Sequence, residues 1–112
     1  EIDYINTHGT ASVLGDTIDV EALLSIGLKG VKANSTKSLI GHGLSAAGLV
    51  EVIASFIQMN EGFLHINHNL TDPITDKIDW IRGASRQATT SCTLSNSLGF
   101  GGVNISLILK SE

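Results

Sequence analysis

The chain has 112 residues, a formal net charge of -4 and 42% hydrophobic residues, a length that fits one domain and an apolar content that demands a buried core and excludes disorder. Mild acidity without a run of Lys or Arg excludes a nucleic-acid surface. The single cysteine, Cys92, excludes an intrachain disulfide and points to a reducing, cytoplasmic setting.

No stretch is long and apolar enough to span a membrane, and no signal peptide opens the sequence. It begins in mid-phrase with Glu1-Ile2-Asp3 and without an initiating Met, so it reads as a piece of something longer. "IDYIN" (Ile2 to Asn6) alternates apolar and polar residues and predicts a short strand. The polar loop "THGTASVLG" follows. From Asp16 the spacing of Ile18, Val20, Leu23, Leu24 and Ile26 predicts a helix, with Asp16, Asp19 and Glu21 near its start and Gly27 and Gly30 as its stop.

"VKAN" predicts a second strand. After "STKSLIGHG", the residues Ala46, Ala47, Leu49, Val50, Ile53, Phe56 and Ile57 predict a helix apolar round most of its circumference, hence one buried on both sides. Glu51 is the one acid within it. Gly62 to Arg86 reads as irregular, with a turn at Asp72-Pro73 and Trp80 as an anchor. "TTSCTLSNSLG" and "VNISLILK" read as two strands joined by the Gly-rich "GFGG". The order strand-helix-strand-helix-strand-strand predicts an α/β fold with helices packed on a mixed sheet, and no internal repeat is present.

Three Gly-flanked segments each follow a predicted strand, where α/β proteins tend to place binding groups: "NTHGTASVLGD", "STKSLIGHGLSAAG" and "SNSLGFGG". Glycines beside His8 and His42 remove side-chain bulk and would let a substrate approach the imidazole and nearby N–H groups. A helix start after His42 would disfavour the protonated ring and leave an imidazole that donates one hydrogen bond and accepts another. A lone histidine in such a loop is more often a turn residue than a catalyst; two of them, each after a strand, make the readings even.

The wording and order of the three motifs closely resemble the C-terminal half of β-ketoacyl-acyl carrier protein synthases, from Tyr4 to Leu109. The resemblance implies a thiolase-like fold, a layered αβαβα architecture of which residues 1–112 would be the C-terminal half. It also implies decarboxylative Claisen condensation of an acyl thioester with malonyl-acyl carrier protein, in fatty acid or polyketide biosynthesis. His8 of "THGT" and His42 of "IGHG" match the family's catalytic histidines, which bind the malonyl thioester and stabilise its enolate. Lys37 matches the lysine that organises charge around the second histidine, and Glu51 the glutamate that supports it. Phe100 matches the gatekeeper phenylalanine, whose N–H is one oxyanion-hole donor.

An acid inside an apolar helix is expensive unless paired, and Lys37 is the natural partner of Glu51; the bland alternative places Glu51 on a solvated stripe. For Phe100 the bland alternative is a hydrophobic plug of the hairpin. Cys92, in a strand and away from a helix N-terminus, is read as structural. The nucleophilic cysteine of the family lies in its other half, so this chain alone is expected to be inactive. The His65/His68 spacing lacks further ligands and is read as scaffold.

No cofactor and no metal are expected. A structural cation near Asn6, Glu51, Ser95 and Asn96 occurs in some relatives and is not expected here. Leu98 in place of a common Phe, Asp19 in place of a common Glu and the missing Pro before Gly15-Asp16 are departures that touch chain-length specificity. The resemblance further implies acyl carrier protein as partner and a homodimer at full length, with no nucleic acid and no membrane. Two alternatives stand beside condensation: a malonyl decarboxylase of the same fold, and a non-catalytic chain-length factor, against which the histidines and Lys37 argue.

Overall fold

The computed structural model describes residues 1–111. Strand β1 (Tyr4–Asn6) is fully buried and sits at the centre of the sheet, because both of its faces are covered by helices. Helix α1 (Val13–Ser25) carries the chain to β2 (Lys32–Asn34), which pairs parallel to β1 with Tyr4 opposite Lys32 and Asn6 opposite Asn34. A single helical turn, α2 (Lys37–Ile40), and a 3₁₀ turn (Leu44–Ala46) lead into α3 (Ala47–Glu61).

Three two-residue strands follow: β3 (Phe63–Leu64), β4 (Asp79–Trp80) and β5 (Arg86–Gln87). The long strands β6 (Cys92–Gly99) and β7 (Val103–Lys110) close the chain. The main sheet runs β4-β2-β1-β6-β7, parallel except for the β6–β7 hairpin; β3 and β5 form a small antiparallel pair. The expected mixed sheet is present.

Several boundaries differ from the sequence reading. β1 begins at Tyr4 rather than Ile2, because the Asp3 carboxylate turns to accept hydrogen bonds from the N–H and hydroxyl of Ser91 and the N–H of Cys92. α1 starts at Val13, a turn earlier than Asp16, behind Ser12. It ends where Gly27, at φ 85°, lets the N–H groups of Gly27 and Leu28 fold back onto the carbonyls of Leu24 and Leu23. The stretch from Gly62 to Arg86, expected to be irregular, contributes β4 to the main sheet. Ile78 and Ile81 flank that strand and are buried, and the Trp80 indole N–H donates to the Thr75 carbonyl at 2.8 Å.

The two faces of the sheet are chemically unlike. On the α1 face Ile5, Val20, Leu23, Ala33, Ile78 and Leu94 form an apolar core. On the α3 face the buried groups are largely polar. The Tyr4 hydroxyl donates to Asn34 Oδ1 at 2.5 Å and accepts from Gln58 Nε2 at 2.8 Å. Asn34 Nδ2 donates to Gln58 Oε1 and to the His65 carbonyl, and the His65 N–H returns to Gln58 Oε1. Burial raises the Tyr4 hydroxyl far above the ordinary tyrosine range, so it stays a neutral donor in this network.

α3 therefore corrects the expectation of a helix buried on both sides. Its inward stripe holds Ala47, Glu51, Ser55 and Gln58, whereas Leu49 (67% exposed), Ile53, Phe56 and Ile57 point away from the sheet. The helix has the normal amphipathic arrangement reversed. β7 likewise exposes Val103, Ile105, Leu107 and Ile108. Such a concentration of uncovered apolar side chains marks a surface built to be covered.

Candidate functional site

His8 follows β1, and its position is fixed through the backbone. Its N–H donates to Asp19 Oδ2 on α1 at 2.9 Å, and the neighbouring Thr7 N–H donates to the Asn34 carbonyl at 2.9 Å. Gly9 takes φ 39°, and its carbonyl accepts the Ser35 hydroxyl at 2.9 Å. A Cβ at Gly9 would lie 2.7 Å from Ser35 Cβ and 2.9 Å from Thr7 Oγ1, so no larger residue fits without moving the loop. Gly9→Ala is accordingly expected to cost about 1–3 kcal/mol of stability, as denaturant unfolding would show.

His42 reaches the same place from the other side. It lies between Gly41 and Gly43, in the link from α2 to the 3₁₀ turn, and its Nδ1 accepts the Leu44 N–H at 3.0 Å. That bond assigns the tautomer: Nδ1 carries the lone pair, and Nε2 carries the hydrogen. The two imidazoles meet edge to face, with ring centres 5.6 Å apart and planes at 84°.

Lys37 and Glu51 form a direct ion pair, Nζ to Oε1, and both are buried. Glu51 is therefore not on a solvated stripe. Its second oxygen, Oε2, has no hydrogen-bond partner among the described residues. His42, Lys37, Thr7, Thr10 and Ser38 line a cavity of about 650 Å³, which also takes in Asp16 and His68. Burial holds the Asp16 carboxyl above the ordinary aspartate value, against the N–H groups of Thr10 and Ala11.

Burial also lowers the His8 pKa below the ordinary histidine value; the Lys37 ammonium and His42 add to this, and Asp19 opposes it. His65 is lowered by burial as well. Both rings thus bind protons less readily folded than unfolded. Their contribution to stability is complete above the unfolded value of about 6.5 and is lost as pH falls below it toward the folded values. Urea midpoints measured across this range should rise with pH and then level off; a midpoint rising toward acid would contradict the assignment.

Not every expected residue joins the cluster. Phe100 sits at the tip of the β6–β7 turn with its ring fully exposed, so it is no plug of the hairpin, and nothing among the described residues holds it against the histidines. Cys92 is buried at the start of β6. His65 Nδ1 engages the Ile66 carbonyl and the ring packs by Thr36, whereas His68 is exposed, so the two do not converge. Among the described residues no group of three or more His, Cys, Asp or Glu is placed to hold a metal ion.

Sequence reasoning passed over Asp19 as a site residue and gave Ser35 and Asn67 no role. Asn67 Oδ1 accepts the Ser35 N–H at 2.7 Å while its Nδ2 reaches the carbonyls of Ala33 and Ile81, fixing the end of β2 before Lys37. The available signal was positional: polar residues in "VKANST", where a buried strand ends, need partners.

A histidine N–H donor at His42, in a cavity that Lys37, Gly9 and Gly41 also line, suits stabilisation of a developing oxyanion. The model of the β-ketoacyl synthase C-terminal domain matches residues 1–71, and the chain belongs to that family. It is 44% identical over 110 residues to the polyketide biosynthesis malonyl-ACP decarboxylase PksF of Bacillus subtilis, covering 98% of this chain and 26% of that protein. It is 44% identical over 114 residues to 3-oxoacyl-[acyl-carrier-protein] synthase 2 of Rhizobium meliloti, covering 98% of this chain and 27% of that protein.

A β-ketoacyl synthase from Burkholderia phymatum superposes with a TM-score of 0.93 at 34% identity, over 99% of this chain and 28% of that one. The fold is thus that of the thiolase-like ketosynthases. The chain spans about a quarter of the length of the curated relatives it matches. No helix among the described residues is long and apolar enough to cross a membrane.

Proposed function

We propose that this chain is the C-terminal part of a condensing enzyme that joins an acyl thioester to malonyl-acyl carrier protein with loss of carbon dioxide. The edge-to-face pair of His8 and His42 carries the reading, because the fold brings two imidazoles from separate Gly-flanked loops to within 5.6 Å, ring centre to ring centre. As the malonyl carboxylate leaves as carbon dioxide, the bonding electrons pass to the thioester oxygen, and the His42 Nε2–H stabilises that enolate. The enolate carbon then attacks the carbonyl of an acyl-cysteine supplied by the rest of the enzyme, and the thiolate departs.

Lys37, neutralised by Glu51, orders the polar groups around the histidines without leaving a free buried charge. Phe100, exposed at the tip of the hairpin, would close the site only once the remaining part of the fold packs against it. The reversed helix α3 and the bare face of β7 await the remaining part of the fold, so the chain alone is inactive. Acyl carrier protein is the partner, the full-length enzyme is a homodimer, and the free buried Cys92 fits a reducing cytoplasm.

The 44% identity to a malonyl-ACP decarboxylase favours one second reading, in which the enolate is protonated instead of attacking an acyl group. Mass spectrometry of the carrier proteins after reaction of the full-length enzyme with acyl- and malonyl-carrier protein separates the two. A β-ketoacyl product supports condensation, acetyl-carrier protein alone supports decarboxylation, and unchanged malonyl-carrier protein overturns both.

A further inference from the structure

A chain of hydrogen bonds runs from the edge strand to the backbone of His8. The Ser106 hydroxyl of β7 donates to Asn96 Oδ1 at 2.5 Å, and the two residues are register partners in the hairpin. Asn96 Nδ2 donates to Asp19 Oδ1 on α1 at 3.0 Å. The other oxygen of Asp19, Oδ2, accepts the His8 N–H at 2.9 Å. A carboxylate only accepts, so Asn96 must present its NH₂ to Asp19 and its oxygen to Ser106, whose hydroxyl must donate. Every link is thereby polarised in one sense, with no freedom to flip.

Asp19 is 3% exposed and Asn96 8%. A buried carboxylate is costly unless its oxygens are satisfied, and here each is taken by a donor from a different element. Anchoring of α1 does not need the charge, since Val20 and Leu23 already fix the helix in the apolar core. What the carboxylate adds is a link between the His8 loop and the strand that leads into the Phe100 turn.

We propose that Asp19 and Asn96 are positioning residues, a polarised clamp that ties the His8 backbone to the β6–β7 hairpin so that His8 and the Phe100 turn keep one relation. This rests on the role given to His8 above. It also makes the hairpin part of the histidine's support: a shift of β6 is passed to His8 through two side chains.

The test is a polarity swap in the full-length enzyme. Asn96→Asp sets two carboxylates face to face, whereas Asp19→Asn keeps every link, because the Asn96 amide can then turn over and donate to the Ser106 hydroxyl. The double variant restores the chain: Asn at 19 accepts the His8 N–H and donates to Asp at 96, which accepts Ser106. Asn96→Asp is expected to lower kcat for malonyl decarboxylation about tenfold with KM unchanged, Asp19→Asn to lower it by less, and the double variant to recover to within about threefold of the parent. Amide exchange at His8 should speed up in Asn96→Asp and slow again in the double variant.

A double variant no better than Asn96→Asp, or an Asn96→Asp variant that leaves both kcat and His8 exchange unchanged, would overturn the clamp. Should Asn96→Asp fail to fold, Ser106→Ala, which frees the Asn96 amide, reads the same link and should raise His8 exchange. The exchange measurement does not depend on activity. A parent enzyme without decarboxylase activity would therefore sink the functional reading and leave the clamp to be judged separately.

Discussion

Glu51→Ala is expected to destabilise the protein by about 3–5 kcal/mol, the cost of leaving a buried charge without its partner. Lys37 is only 8% exposed and lies against Glu51, itself 1% exposed, so solvent cannot take over the missing carboxylate. Glu51→Gln keeps the shape and one acceptor oxygen and should cost less. Replacing both partners, Lys37→Met with Glu51→Leu, removes the two desolvation penalties together and should be close to neutral for stability while abolishing activity. Denaturant unfolding of the three variants checks this. A Glu51→Ala effect within about 0.5 kcal/mol of zero would mean that the pair is solvated in solution.

The contrast between the variants separates two reasons for keeping a buried ion pair. Stability alone does not require it, since well-packed apolar side chains serve as well. Its retention next to two histidines therefore speaks for the site. Burial first and the Lys37 charge second lower the proton affinity of His8, and Glu51 makes that charge tolerable in the interior.

Strands β1, β2, β6 and β7 were legible because alternation and branched residues survive in short windows. The helical spacing of α3 was legible too, yet its orientation was not. Periodicity locates an apolar stripe and leaves open whether that stripe faces this chain's own sheet or something else. Here the sheet takes Glu51, Ser55 and Gln58, and the stripe of Leu49, Ile53 and Phe56 is left outside. β4 was invisible because two residues show no period.

The polar interior under α3 was hidden for a different reason. Tyr4 meets Gln58 across 54 positions and Asn34 meets Gln58 across 24, so each residue looks like a surface residue until the fold joins them. His8 and His42 stood out in their Gly-flanked loops and Glu51 as the one acid in an apolar helix, motif resemblance gave them roles and added Lys37, and their convergence needed the fold. Asp19 shows the limit of that method: it was noticed as a departure in the motif, and only its two hydrogen bonds give it a purpose.

His42→Ala is expected to lower malonyl decarboxylation by about 10²–10³ in the full-length enzyme, the usual effect of removing one oxyanion donor. The direction follows from the hydrogen bond between the Leu44 N–H and His42 Nδ1, which leaves the Nε2–H as the ring's donor. Because alanine removes a donor that acts mainly in the transition state, kcat should fall while KM for malonyl-carrier protein changes little. His42→Gln restores an N–H donor without a titrating ring and should recover part of the rate. His8→Ala should give a loss of similar size, and the double variant little more than either single, because both rings serve the same oxygen. Decarboxylation at the native rate in His42→Ala would remove His42 from the reaction, and with it the argument that the two rings act as one site.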